Sequence, residues 1–190
     1  KLYHEILTRS AELNEGEQKG KVTITINPEK LKTLLLTMLE EAGASVQLYT
    51  FASDVIMEGN AVRGVICESK SGREAILAKV VIDASGDGDV AAKAGADYTL
   101  GRESDGKMQP ATIMFKVGGV DTERAVFLCS FESTYETPRG ELQALAREHI
   151  PFPAGHVLLY ASTLPGIVTC NMTNAIEIDG TKAEDLTRAG

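Results

Sequence analysis

The chain has 190 residues, 43% apolar and 24% charged, ordinary values for a folded protein with one good core or two modest ones. Its formal net charge of −8 argues against a nucleic-acid surface, and no apolar run approaches the roughly 18 residues that span a membrane. Three cysteines, Cys67, Cys129 and Cys170, lie far apart without a Cys-x-x-Cys, which supports neither a redox dithiol nor a zinc knuckle and reads as buried thiols in a reducing cytoplasm.

Tyr3, Ile6, Leu7 and Ala11 have helical spacing, and residues 14–20 are a polar loop. Residues 21–26 alternate apolar and Thr, the pattern of a half-buried strand. Asn27 is a cap with Pro28 at the first helical position. Leu31, Leu34, Leu35, Met38, Leu39 and Ala42 then share one face until Gly43 closes the helix. A short strand at 46–49 follows. Next come three strands at 52–58, 61–68 and 74–78, an antiparallel meander turning at Gly59-Asn60 and Ser71-Gly72. The β-branched run 80–82 reads as a buried strand. It breaks at Ser85-Gly86-Asp87-Gly88 and enters a short helix with Asp89 as N-cap and Gly95 as its stop.

Beyond Gly95 a polar stretch, 101–107, suits a crossing between domains. Residues 111–117 read as a strand, Asp121 caps a short helix carrying Ala125 and Leu128, and Thr137-Pro138 opens another with Leu142, Leu145, Ala146 and His149 on one face. Strands at 157–162 and 167–176 flank a type II turn at Leu164-Pro165-Gly166-Ile167. Thr181-x-x-Glu184 is a capping box for a last helix. The chain begins without Met inside one helix and stops about two turns into another, so both ends read as cuts in a longer protein.

Strand, Gly loop and helix N-terminus at 80–91 form the place where open α/β sheets put a ligand. Several readings compete there. Asp83-x-Ser85-x-Asp87-Gly88-Asp89 fits the opening of a calcium loop, but its twelfth position is Ala94, where a bidentate Glu is needed, and no metal site is assigned. Gly86-x-Gly88-x-x-Ala91 matches a dinucleotide fingerprint, yet Asp87 and Asp89 would face the pyrophosphate. A third reading sets the carboxylates against the sugar hydroxyls of a nucleotide cofactor, with small residues letting the backbone come close. The fourth is a turn that joins strand to helix and nothing more.

The order of these elements resembles one family. Pro28-Glu29-x-Leu31, Asp54-Val-Ile-Met-Glu-Gly-Asn-Ala-Val-Arg-Gly64-Val65 and Ile82-Asp-Ala-Ser-Gly-Asp-Gly-Asp-Val-Ala91 are similar to the FAD-dependent oxidoreductases of the glutathione-reductase-type fold, in a bacterial branch sharing the last motif. Met108-Gln-Pro-x-Thr112 and Asp179-Gly-Thr also resemble that branch. The resemblance implies an α/β fold. Residues 1–105 would form a partial Rossmann-like FAD/NAD(P)-binding domain with an antiparallel meander, and 106–190 the start of an α+β substrate domain.

It further implies that Ala52 meets the adenine and that Ala84, Ser85, Gly86 and Asp87 lie beside the FAD. The partners it implies are a small-molecule substrate or electron acceptor, NAD(P)H among the candidates, with no nucleic acid or membrane. No N-terminal Gly-x-Gly-x-x-Gly is present, so FAD is expected on the full-length protein and not on this fragment. No residue is assigned a catalytic role, and His4, His149 and His156 read as structural or solvated. Tyr160 and Asn171, on predicted strands, are candidates to line a pocket. The other class of reading is a non-catalytic α/β ligand-binding or interaction module.

Overall fold

The computed structural model describes residues 1–13 and 25–190; the predicted loop at 14–20 and most of the strand at 21–26 lie outside them. The chain divides into two compact units, one of Lys1–Met38 with Gly101–Gly190, the other of Leu39–Leu100. The elements are helices and antiparallel strands.

Helix α1 spans Leu2–Leu13 and buries Ser10 and Ala11. Helix α2 spans Pro28–Glu41. As predicted, Asn27 Oδ1 accepts from the N–H groups of Glu29 (3.0 Å) and Lys30 (3.3 Å), satisfying two of the orphan donors at the helix start. At the far end the N–H of Gly43 donates to Glu40 and that of Ala44 to Leu39, both at 2.9 Å. Gly43 has φ 70, the left-handed conformation this closure requires.

In the smaller unit β1 (Thr50–Glu58), β2 (Ala61–Ser69) and β3 (Gly72–Leu77) form the expected meander, in the order β1-β2-β3. Two register shifts interrupt the first pair, between Ala52 and Asp54 and between Ile56 and Met57. Gly64, opposite Leu77, is demanded by packing: a Cβ there would lie 2.2 Å from the carbonyl oxygen of Ile76. Two predicted strands are absent. Residues 46–49 and 80–82 pair with no strand among the described residues, and Val80 and Ile82 are 74% and 84% exposed. β-branched composition favours an extended backbone, but a strand also needs a neighbour to bond.

Helix α3 (Asp89–Lys93) follows the Gly loop. Its stop is as predicted: Gly95, at φ 83, donates to Ala92, and Ala96 to Ala91, both at 3.1 Å. Its start is not. The N-cap is Gly88 in the left-handed region, and Asp89 is already inside the helix.

In the larger unit β4 (Phe115–Val117), β7 (Leu159–Ala161) and β8 (Val168–Cys170) make a sheet in the order β4-β8-β7. All three strands are shorter than predicted, and Ala111 and Ala175 meet only as an isolated bridge. The turn at Leu164 to Ile167 forms as expected: the N–H of Ile167 donates to Leu164 at 3.2 Å, with Gly166 at φ 68. β5 (Glu136–Thr137) and β6 (Gly140–Glu141) are a two-stranded hairpin, and helix α4 runs Leu142–His149.

Three predicted helix starts are corrected here. Asp121 closes a single turn, its carboxylate accepting from the N–H of Glu123 (3.2 Å) and its carbonyl from that of Ala125 (3.0 Å), and residues 126–128 then form no helix. Pro138 sits in the β5–β6 turn, while Glu141 caps α4 by accepting from Gln143 (2.8 Å) and Ala144 (2.7 Å). Helix α5 (Ala183–Ala189) has no side-chain cap, because Thr181 donates to Asp179 (2.6 Å) instead. In each case a local Asx, hydroxyl or acid contact competes with the predicted cap.

Leu128, Ala146 and Val157 are the buried centre of this unit, with Val126, Leu142, Ile150, Leu159 and Met172 packed against them. Gln143, 4% exposed, clasps the backbone of Val157: its Nε2–H donates to the carbonyl and its Oε1 accepts from the N–H, both at 2.8 Å. The side chain replaces a missing β-partner. Cys67 and Cys170 are buried as expected, but Cys129 is exposed and its thiol reaches only the Leu159 carbonyl at 3.7 Å.

Candidate functional site

The site is built from Asp83, a residue the sequence places merely at a strand end. Asp83 Oδ1 accepts from the N–H (3.0 Å) and hydroxyl (2.6 Å) of Ser85, which folds the chain into an Asx turn. Its Oδ2 accepts from the N–H of Ala91 at 2.8 Å, eight residues on. Ser85 Oγ in turn accepts from the N–H of Asp89 at 3.2 Å. The hydroxyl of Ser85, and then the N–H groups of Ala91 and Ser85, hold the Asp83 carboxyl below the usual carboxylate range.

This network has a chemical consequence. The donors at the start of α3 are the groups a pyrophosphate would need, and Asp83 and Ser85 already occupy two of them. The fingerprint Gly86-x-Gly88-x-x-Ala91 therefore forms a self-capped turn. Both Asp83 oxygens are likewise spent on the chain's own donors.

Beside this turn lies a cleft of about 600 Å³, entirely within the smaller unit. Met57, Asn60 and Val62 line it from the β1–β2 hairpin; Val81 and Asp83 line it from the extended run. The small side chains of Ala91 and Ala94 keep the helix wall low. The volume lies within the roughly 300–1,000 Å³ of small-molecule pockets.

The predicted cofactor residues are placed as follows. Ala84, Ser85, Gly86 and Asp87 are all exposed on the outside of the bend, and a Cβ added to Gly86 would meet nothing within 4 Å. Ala52 is half-buried in β1 opposite Cys67. None of the five lines the cleft, whose walls begin at their neighbour Asp83. The signal for Asp83 was Asp-x-Ser, the Asx-turn spacing. No signal could have brought the β1–β2 hairpin to α3, which is tertiary. His156 stacks edge-on against Phe131 at 4.9 Å, a packing role. Tyr160, in β7, and Asn171 are half-buried, and Asn171 Oδ1 accepts from the Thr112 hydroxyl at 3.2 Å.

A model of the FAD dependent oxidoreductase family matches residues 1–190. The chain belongs to this family. No curated protein and no solved structure matches it. Membership gives this FAD dependent oxidoreductase a flavin-linked redox function with FAD as its cofactor and a small-molecule substrate or electron acceptor. Among the described residues no helix is long and apolar enough to cross a membrane.

Proposed function

We propose that the chain supplies the sugar-side half of an FAD site in a cytoplasmic oxidoreductase of the glutathione-reductase-type branch. The flavin there carries hydride or electrons between a small molecule and a second partner such as NAD(P)H. Residues 1–105 are the partial Rossmann-like FAD-binding domain and 106–190 the start of the substrate domain. Ala52 meets the adenine, and Ala84, Ser85, Gly86 and Asp87 pass beside the nucleotide, their small side chains letting the backbone approach.

The observation that carries this reading is the open bend: four consecutive exposed residues, with free space over Gly86, held rigid from behind by Asp83. The bend accepts a ligand without rearrangement. The isoalloxazine ring supplies the redox chemistry when bound; these residues only hold and orient the cofactor. Because α3 offers its first donors to Asp83 and Ser85, this loop contributes no pyrophosphate grip, and the chain binds FAD weakly by itself.

The test compares this chain with the product of its complete reading frame, each purified and titrated with FAD by visible absorbance. The expected outcome is flavin bands on the second and none on the first. Gly86→Val should leave the melting temperature unchanged, since the site is empty space, while lowering FAD retention by about tenfold through a steric block. A colourless, FAD-indifferent product of the complete frame would return the chain to the class of non-catalytic binding modules.

A further inference from the structure

We infer that Asp87-Gly88 is a site of covalent self-modification, the conversion of aspartate to isoaspartate through a succinimide. The Gly88 nitrogen attacks the Asp87 side-chain carboxyl carbon; a C–N bond forms, a C–O bond breaks, and a water leaves. The cyclic imide then takes a water back. Opening at the side-chain carbonyl restores aspartate. Opening at the main-chain carbonyl leaves the backbone running through the side chain, with a free α-carboxylate. Water is the only co-reactant, and no electrons are exchanged. A glycine after the aspartate favours the attack because no Cβ shields its nitrogen.

The sequence holds three Asp-Gly pairs, at 87, 105 and 179, and the structure restrains the last two. Asp105 Oδ1 accepts from Arg102 Nε (2.5 Å) and Oδ2 from Nη2 (2.7 Å), while the Gly106 N–H donates to the Arg102 carbonyl at 2.8 Å. Asp179 Oδ1 accepts from the N–H (3.0 Å) and hydroxyl (2.6 Å) of Thr181, and its Oδ2 pairs with the Lys182 ammonium at 3.0 Å. The Gly180 N–H donates to Met108 Sδ at 3.1 Å. In both pairs, carboxyl and nitrogen are tied to different partners and cannot meet without breaking bonds. Their carboxyl groups are also held down to about 2, by Arg102 in the first and by the Thr181 hydroxyl and Lys182 in the second. They stay ionised, and a carboxylate is a poor electrophile.

Asp87 is different. It is exposed, and among the described residues neither its carboxylate nor the Gly88 N–H has a partner. Gly88 sits at φ 70 with nothing within 4 Å of where a Cβ would lie, which leaves room for the ring. Isoaspartate adds a methylene to the main chain between Ser85 and Asp89, whose hydrogen bond is 3.2 Å, and between Asp83 and Ala91, at 2.8 Å. Both bonds bridge the insertion and lose their geometry, so the bend loosens where α3 begins. The chemistry needs no flavin and is indifferent to what the bend binds.

Ageing the full chain at mildly acidic pH, followed by tryptic mapping, reads each pair separately. Asp87 falls in peptide 80–93, where isoaspartate resists an aspartate-specific protease. Asp87-Gly88 is expected to accumulate isoaspartate at least about tenfold faster than either other pair, the cost of releasing one charge-assisted hydrogen bond in each. In urea the three rates should converge, because the restraints vanish with the fold. Asp87→Glu should remove the signal from peptide 80–93, since glutamate would have to close a larger ring, which forms far more slowly. Equal rates in the folded chain, a persistent lead for Asp87 in urea, or isoaspartate surviving Asp87→Glu would each overturn the proposal. No FAD is added at any step, so this outcome is separate from that of the FAD titration.

Discussion

Replacing Gln143 by Leu removes both 2.8 Å hydrogen bonds to Val157 while preserving most of the side-chain volume. Val157 is 8% exposed and lies in the centre of the larger unit's core, so its N–H and C=O have little access to water. Each stranded group costs roughly 1–3 kcal/mol, and the gain from burying a leucine side chain offsets about 1.5–3 kcal/mol of the pair. The net loss is about 1–3 kcal/mol, or roughly 2–12 °C of melting temperature for a chain of this size. The chain has no Trp, so urea unfolding is best followed by far-UV circular dichroism with a shared m-value. Gln143→Glu separates the two bonds. Its carboxylate still accepts from the Val157 N–H but faces the carbonyl with a second acceptor, which raises its folded pKa above the ordinary value of about 4.3. Such a group favours the folded state below its unfolded pKa and loses that advantage as pH rises through the folded one. The Glu variant should therefore approach wild-type stability at pH 4 and fall behind at pH 8. A Leu variant within about 0.5 kcal/mol of wild type would show that water or another donor reaches Val157, and the clasp would not be a core element.

Three further outcomes are expected. Gly64→Ala drives a Cβ to 2.2 Å from the Ile76 carbonyl oxygen, so β2 and β3 must separate; a loss of about 3 kcal/mol is expected, and unchanged amide-exchange protection in β3 would refute it. Asp83→Asn leaves one acceptor and turns an amide donor toward Ser85 or Ala91, so exchange at Ala91 should accelerate while Gly95, whose N–H donates to Ala92 in the C-terminal closure, changes less. Asp105 and Asp179 have carboxyl groups held down to about 2, the first chiefly by Arg102, the second by the Thr181 hydroxyl and Lys182. Their folded pKa values lie below the unfolded value of about 3.9, so their stabilisation is present above it and fades as pH falls from about 4 toward 2. Melting temperatures across that window should fall less steeply in Arg102→Gln than in wild type, and parallel curves would contradict the assignment.

What was legible in the sequence was whatever one segment decides alone. Asn27-Pro28 with Gly43 bounds α2 because cap, first-turn proline and left-handed stop are local chemistry. Gly59-Asn60 sets the first hairpin, and Pro165-Gly166 the later turn, for the same reason. Illegible were features in which two segments compete. Thr181 read as a cap until Asp179, two residues earlier, took its hydroxyl. Thr137-Pro138 read as a helix start until Glu141 offered a carboxylate to two N–H groups at once. Val80 and Ile82 read as a strand because composition reports backbone preference and says nothing about partners. The Gln143 clasp lies in the same class, since a polar residue on a helical face gives no hint that a distant strand has left two groups unpaired.

The Gly loop joins these two kinds of information. Its glycines and small residues were legible as a place where backbone comes close to something, but they do not by themselves say whether that is a phosphate, a cation or a sugar. The donors bear on the first of these. A cradle must keep its N–H groups free, whereas here the N–H groups of Asp89 and Ala91 are given to Ser85 and Asp83. What remains open is the outer face of the bend, which offers exposed backbone and the Asp87 carboxylate. Hydroxyls suit such a surface and phosphates do not. If the bend is part of the flavin site as proposed, any phosphate grip has to come from another segment, and the chain's own affinity for FAD should rise little when salt is lowered.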